Sequence, residues 1–230
     1  MTNLPATPPA LTELPRKSLK ERVVEQICSA ITRGELRAGD RVTEITLARK
    51  LGVSQPTIRE ALIELEHRGF VERRGPRKTF ITALSSGDIR DLYVVRVQLE
   101  ALVIELILAR HITEIPQSQA SYERMMTAAK AGGAEEFYHA DLEFHKGLWA
   151  ASGNRALADI LERLVPKLFG FIQIQKADPM RDNPLMTAEQ HRKILESIRS
   201  GDAAMAQATM RDSLRRAMLE DSKFSAPLQA

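Results

Sequence analysis

"TEITLARKLGVSQPTIREALIELEHRG", residues 43–69, is broken once by Gly52 and closed by Gly69. The first part, "TEITLARKL", reads as a short helix that Thr43 can cap and Gly52 ends. A full capping box would need Glu or Gln at position 46, where Thr46 stands. In the second part Ser54 can cap a helix whose Ile58, Leu62 and Leu65 face inward and whose stop is Gly69. Only "GV" separates the two, so the spacing predicts a helix, a tight turn and a second helix.

Upstream, "SLKERVVEQICSAITRGEL" places Leu19, Val23, Ile27 and Ile31 four apart, with Ser18 as cap and Gly34 as stop. Downstream, "FVERR" and "KTFITA" are β-like runs around the turn sequence "GPR", which predicts a two-stranded wing. Three helices followed by a hairpin describe a winged helix-turn-helix. In such a module the third helix enters the DNA major groove and the wing meets the backbone. Ser54, Gln55 and Thr57 at the start of that helix are candidates for bases or phosphates, and Arg59 is long enough for a guanine edge. Arg73, Arg74, Arg77 and Lys78 fall on the wing.

Charge divides the chain in the same place. Residues 1–84 carry 15 Lys and Arg against 10 Asp and Glu, whereas residues 85–230 carry 18 against 20. A basic first unit is suited to a polyanion, and a near-neutral second unit to something else. The single cysteine, Cys28, excludes an internal disulfide framework and reads as packing in a reducing cytoplasm. The opening "MTNLPATPPALTELP" has no charged region followed by an apolar run, so it does not read as a signal peptide. "ALVIELILA" is interrupted by Glu105 and is too short to cross a bilayer.

The run from Ile31 to Arg74 resembles the DNA-binding domain of the GntR family of bacterial transcription regulators, through "LARKLGVS" and "IREALIELEHRGFV". It departs from that pattern at the start of the third helix. The family usually carries arginine after the "VS" serine and proline two further on; here Gln55 and Thr57 stand there and the proline is Pro56. Proline is tolerated in a first helical turn. Gln55 implies a different base contact.

The remainder reads as six helices: one from Ser85 or Ser86 to about His111, then "PQSQASYERMMTAAKA", "GAEEFYHADLEFHKGLWAAS", "NRALADILERLVPKLFGFIQIQK", "TAEQHRKILESIRSG" and "DAAMAQATMRDSLRRAMLEDS". Short punctuated connections imply an antiparallel bundle, with Pro166 expected to kink its fourth helix. The expected class is mostly α: a disordered tail over 1–15, a winged unit over 16–83, an all-helical unit over 84–224 and a tail over 225–230. No phosphate loop, paired-cysteine zinc module or nucleophile elbow is present in the sequence.

Asp141 and His145 lie one turn apart in "DLEFH", and His191 follows on a later helix. A carboxylate with two imidazoles suits a divalent transition metal, although spacing alone reads rather as a polar stripe on a solvated face. The helical segment resembles the FCD effector domain of the FadR-like branch through "VVRVQLE", "DLEFHKGLWAASGN", "EQHRKILESIRSGD" and "ATMRDSL". That resemblance implies that Asp141, His145 and His191 are metal ligands for zinc, nickel or manganese, and it places Ser213 where a fourth ligand, histidine, is usual. Two outcomes stay open: three residues hold a metal, or the pocket is metal-free and binds its effector directly. By spacing Arg96 pairs with Glu100 on a surface; the resemblance turns it inward toward an acidic effector. Tyr93 is a lining candidate, and Asn154 either caps a helix or reaches the pocket.

The resemblance implies a homodimeric, cytoplasmic, ligand-responsive regulator that binds double-stranded operator DNA, with repression released by a small organic acid. A DNA-binding scaffold with a vestigial pocket is the alternative. A metalloenzyme on the same triad lacks a general base and leaves the winged module unexplained.

Overall fold

The computed structural model describes residues 18–32, 35–75, 78–175 and 183–221. Gly34, Arg77, most of "DPMRDNP" and both terminal tails lie outside the described residues.

Two apolar cores organise the chain. The first is built by α1 (Leu19–Thr32), β1 (Arg41–Val42), α2 (Glu44–Leu51), α3 (Gln55–His67), β2 (Val71–Arg73) and β3 (Thr79–Ile81). Val23, Val24, Ile27 and Ile31 of α1 pack on Ile58, Ala61, Leu62 and Leu65 of α3, with Leu47, Val71 and Ile81 closing the cluster. Caps set the helix starts. Thr43 accepts the Thr46 amide and Ser54 accepts the Thr57 amide, while Pro56 sits in the first turn of α3, where its missing N–H costs nothing. Gly52 ends α2 in the left-handed region that glycine enters freely.

The wing has three strands rather than two, in the order β1-β3-β2 and antiparallel throughout. The added strand is only two residues long and carries no alternating run, which is why the sequence pattern did not show it.

Six helices form the second core: α4 (Ser86–Ala109), α5 (Pro116–Ala131), α6 (Ala134–Ala151), α7 (Arg155–Gln175), α8 (Pro184–Arg199) and α9 (Ala203–Asp221). Ser85 and Asp88 make a complete capping box for α4. α4 ends at Ala109, and α8 begins earlier than expected, at Pro184 behind the Asn183 cap. Trp149, Tyr93, Phe144 and Phe171 are fully buried where α4, α6 and α7 meet. Burying each such side chain contributes roughly 1.5–3 kcal/mol before entropy is counted. α7 remains one helix through Pro166.

The two units touch through α7. Gly69, just past the end of α3 at φ 77°, lies against the α7 backbone so closely that a Cβ there would sit 1.7 Å from the Pro166 carbonyl oxygen. Gly170 faces it, with its own hypothetical Cβ 2.2 Å from the Gly69 carbonyl carbon. Lys167 Nζ meets the buried Glu72 of β2, 2.8 Å from Oε2, and Ile174 packs on the first core.

Candidate metal and effector centre and DNA-binding face

One cavity in the helical unit gathers most of the polar residues singled out from sequence. Tyr93, Arg96, Asp141, His145, His191 and Ser213 all line it, on α4, α6, α8 and α9. Asn154 does not. Its Oδ1 accepts the Leu157 amide at 3.1 Å and so caps α7, a task that points its side chain at its own backbone.

Asp141 and His145 share the inner face of α6 because four residues complete about one turn. Asp141, His145 and His191 each offer a ligand atom within 4.8 Å of the others. Both rings are fixed from behind. The His191 Nδ1 donates to the Thr187 carbonyl at 2.8 Å, since a carbonyl can only accept. The His145 Nδ1 donates to Glu100, 3.0 Å from Oε1 and 3.2 Å from Oε2. These bonds turn both Nε2 atoms inward, 2.9 Å (His191) and 3.7 Å (His145) from Asp141 Oδ1. The Phe144 ring meets both in near-perpendicular packing, its centroid 4.6 Å from that of His191 and 5.5 Å from that of His145.

This donor set fits a divalent transition metal. Two imidazole nitrogens and one carboxylate oxygen converge, and each histidine has its other nitrogen engaged, as metal-ligating histidines do. Electrostatics separate the two rings. Burial pushes the His145 pKa down, leaving a neutral ring with an available Nε2 lone pair. Burial also opposes charge on His191, but the Asp141 carboxylate outweighs it and raises that pKa. Asp141 in turn is held below the ordinary carboxylate range by His191 against the cost of its burial.

Glu100 is the residue that sequence reasoning misplaced. The i,i+4 spacing offered a surface ion pair; the structure buries the whole pair, Arg96 at 2 % exposed and Glu100 at 0 %. Glu100 accepts from Arg96 Nε at 3.1 Å, from His145, and from Trp149 Nε1 at 3.1 Å. Burial favours its neutral form, yet these donors hold its pKa at about 2. An i,i+4 pair on a helix whose charged members sit among apolar neighbours, as in "VVRVQLEALVIE", was the available signal. Arg96 also lies over the Tyr93 and Phe169 rings, at 5.7 and 5.3 Å, while its buried Nη2 has no hydrogen-bond partner.

The other candidate face is on the first unit. Ser54 and Gln55 are exposed at the start of α3, and Thr57 is half-buried, with Ser54 Oγ 2.8 Å from Thr57 Oγ1. Arg59 is held by both oxygens of Glu44, Nε at 3.0 Å and Nη2 at 2.8 Å. Arg73, Arg74 and Lys78 are exposed on the sheet; Arg73 pairs with Glu66, and Arg74 meets Glu72 and covers the Phe80 ring. Cys28 is partly buried against the first core, and burial pushes its thiol up to about 12.

A helix-turn-helix with a winged sheet, joined to a helical unit that encloses a polar cavity, defines a DNA-binding regulator built in two units. The chain belongs to the bacterial regulatory proteins of the gntR family: that family's model matches residues 19–81, and the FCD domain model matches residues 91–216. Over 194 residues it is 27% identical to a probable D-xylose utilization operon transcriptional repressor of Paenarthrobacter nicotinovorans, covering 84% of each chain. It is 30% identical over 178 residues to the uncharacterized HTH-type transcriptional regulator YdhC of Bacillus subtilis, covering 76% of this chain and 78% of the relative. Among solved structures, E. coli McbR/YncC superposes with a TM-score of 0.66 at 17% identity, over 90% of this chain and 98% of that one, which is a likeness of fold. The protein is therefore a transcription regulator and not a metalloenzyme. Among the described residues no helix is long and apolar enough to cross a membrane.

Proposed function

We propose that this protein is a cytoplasmic, homodimeric repressor whose helical unit binds a small organic acid and thereby loosens the hold of its winged units on operator DNA. The observation that carries the ligand half is Arg96. A guanidinium 2 % exposed, with a buried Nη2 lacking a partner, beside a cavity that also holds the triad, leaves a donor for a carboxylate to take. The naming of the Paenarthrobacter relative as a probable repressor supports the sense of regulation.

In this reading residues 16–83 bind DNA and residues 84–224 sense and dimerise. Ser54, Gln55, Thr57 and Arg59 meet base edges and adjacent phosphates, and Arg73, Arg74, Arg77 and Lys78 meet the backbone. Two copies present paired α3 helices to two half-sites of a pseudo-palindrome. The acid acts by binding one arrangement of the pair more tightly than the other, which is the whole thermodynamic requirement. Retardation of DNA from upstream of the protein's own coding region, released by a carboxylate, tests the reading directly. Failure of that DNA to be retarded under any condition would sink it. Arg96→Ala is expected to abolish the thermal shift that a binding acid produces while leaving DNA retardation in place.

Asp141, His145 and His191 would hold a divalent metal, and Ser213 stands at the remaining position. Bound there, the metal supplies a Lewis-acidic locus for an effector carboxylate. His145 and His191 keep their Nε2 atoms directed at that point through Glu100 and Thr187. A serine hydroxyl is a poor partner for zinc beside imidazole, so Ser213→His is expected to tighten zinc binding by about 10-fold or more. Competition with a chelating dye measures it, and equal affinities for the two proteins would remove Ser213 from the metal's surroundings.

A further inference from the structure

The cavity holds a second cation that the reading above leaves unused. Arg216 lines its rim from α9, one turn beyond Ser213, so that a rise of about 5 Å along the helix separates the two positions. Its guanidinium has no hydrogen-bond or ion-pair partner among the described residues, whereas the neighbouring Arg215 is paired with Asp212 at 3.6 Å and does not line the cavity. Arg96 and the triad form one charged locus at the inner end, where Asp141 lies near enough to act on the Arg96 guanidinium. Apart from Arg96, the triad and Arg216, the cavity lining is apolar or uncharged, with Phe137, Tyr138, Ile172 and Leu214 among it. Such a wall suits a short carbon chain and offers nothing to neutralise a charge midway.

Resting on the proposal that this cavity binds an organic acid, we propose that the acid is dianionic: one carboxylate on Arg96 at the inner end, the second on Arg216 at the rim. Arg216 is then the residue that sets specificity between mono- and dicarboxylates. A fork of parallel N–H donors at each end matches a carboxylate at each end. An exposed arginine contributes less than a buried one, so Arg216 governs preference and Arg96 governs whether any acid binds.

Isothermal titration of the full chain with matched pairs, butyrate against succinate and valerate against glutarate, separates these roles. Each dianion is expected to bind about tenfold tighter than its monoanionic partner, the scale of one charge-assisted hydrogen bond. Arg216→Ala should collapse that ratio to below about threefold without changing butyrate affinity, Arg216→Lys should keep most of it, and Arg215→Ala should keep all of it. Equal binding of succinate and butyrate by the unaltered protein, or a ratio that survives Arg216→Ala, overturns the proposal while leaving the acid-sensing reading intact. No binding by either class overturns both.

Discussion

Glu100→Gln is expected to lower the stability of the helical unit by about 3–5 kcal/mol, a drop in melting temperature on the order of 10 °C. The carboxylate is wholly buried and is the partner of three donors: Arg96 Nε, His145 Nδ1 and Trp149 Nε1. An amide oxygen can still accept from one or two of them, but it leaves the Arg96 charge, 2 % exposed, without a counter-charge on its own helix. That uncompensated charge is the dominant cost. Its signature is non-additivity: in Arg96→Met/Glu100→Gln the charge is gone from both sides, so the double variant should melt above the Glu100→Gln single variant. The same substitution should weaken zinc binding by about 10–100-fold, because the acceptor that orients the His145 ring becomes a neutral amide shared with two other donors. A melting temperature within a degree or two of the parent would mean that Arg96 finds its counter-charge elsewhere, in Asp141 above all.

The case of Glu100 also marks where sequence reading stops. Several helices were legible from a cap or an apolar stripe, as with Ser54 before Ile58, Leu62 and Leu65, or Ser85 before the long α4. The cluster was legible because "D...H" puts Asp141 and His145 on one helix face, and the family resemblance joined His191 to them. From spacing alone the burial of the Arg96–Glu100 pair was not; only the resemblance turned Arg96 inward. Spacing tells which residues share a face but not whether a neighbouring helix covers it, and α4 is apolar nearly all round. Asn154 stayed open for the opposite reason, since the same amide serves a cap or a ligand equally well and only the Leu157 amide settles its direction. Nor could two separate glycines announce that they would meet, because contact between residues 69 and 170 exists only in the folded chain.

That contact yields the second large effect, and its sign makes it a sharp test. Gly170 lies inside α7, so replacing it with alanine would ordinarily stabilise the helix by about 1 kcal/mol. Here the added methyl would lie 2.2 Å from the Gly69 carbonyl and 2.7 Å from the Phe70 amide nitrogen, backbone atoms that no rotamer change can move aside. The expected result is therefore a net loss, with overpacking costing about 1–3 kcal/mol or the two units parting to avoid it. Parting would sever Lys167 from Glu72 and Ile174 from the first core. It would show as a separate, earlier melting transition for the winged unit and a broadened distance between spin labels on the exposed Ile63 and Ile160 positions, in a Cys28→Ser background. Lys167→Glu attacks the same seam by charge without adding bulk, and Lys167→Glu/Glu72→Lys should restore it in part. α7 also carries Phe169 and Ile172 into the cavity, so Gly170 is one residue from a side chain that packs over Arg96. A Gly170→Ala protein that melts higher than its parent, with an unchanged narrow distance, would show that the seam bears no weight. Whatever passes between cavity and recognition helix would then have to travel by the connection from β3 into α4.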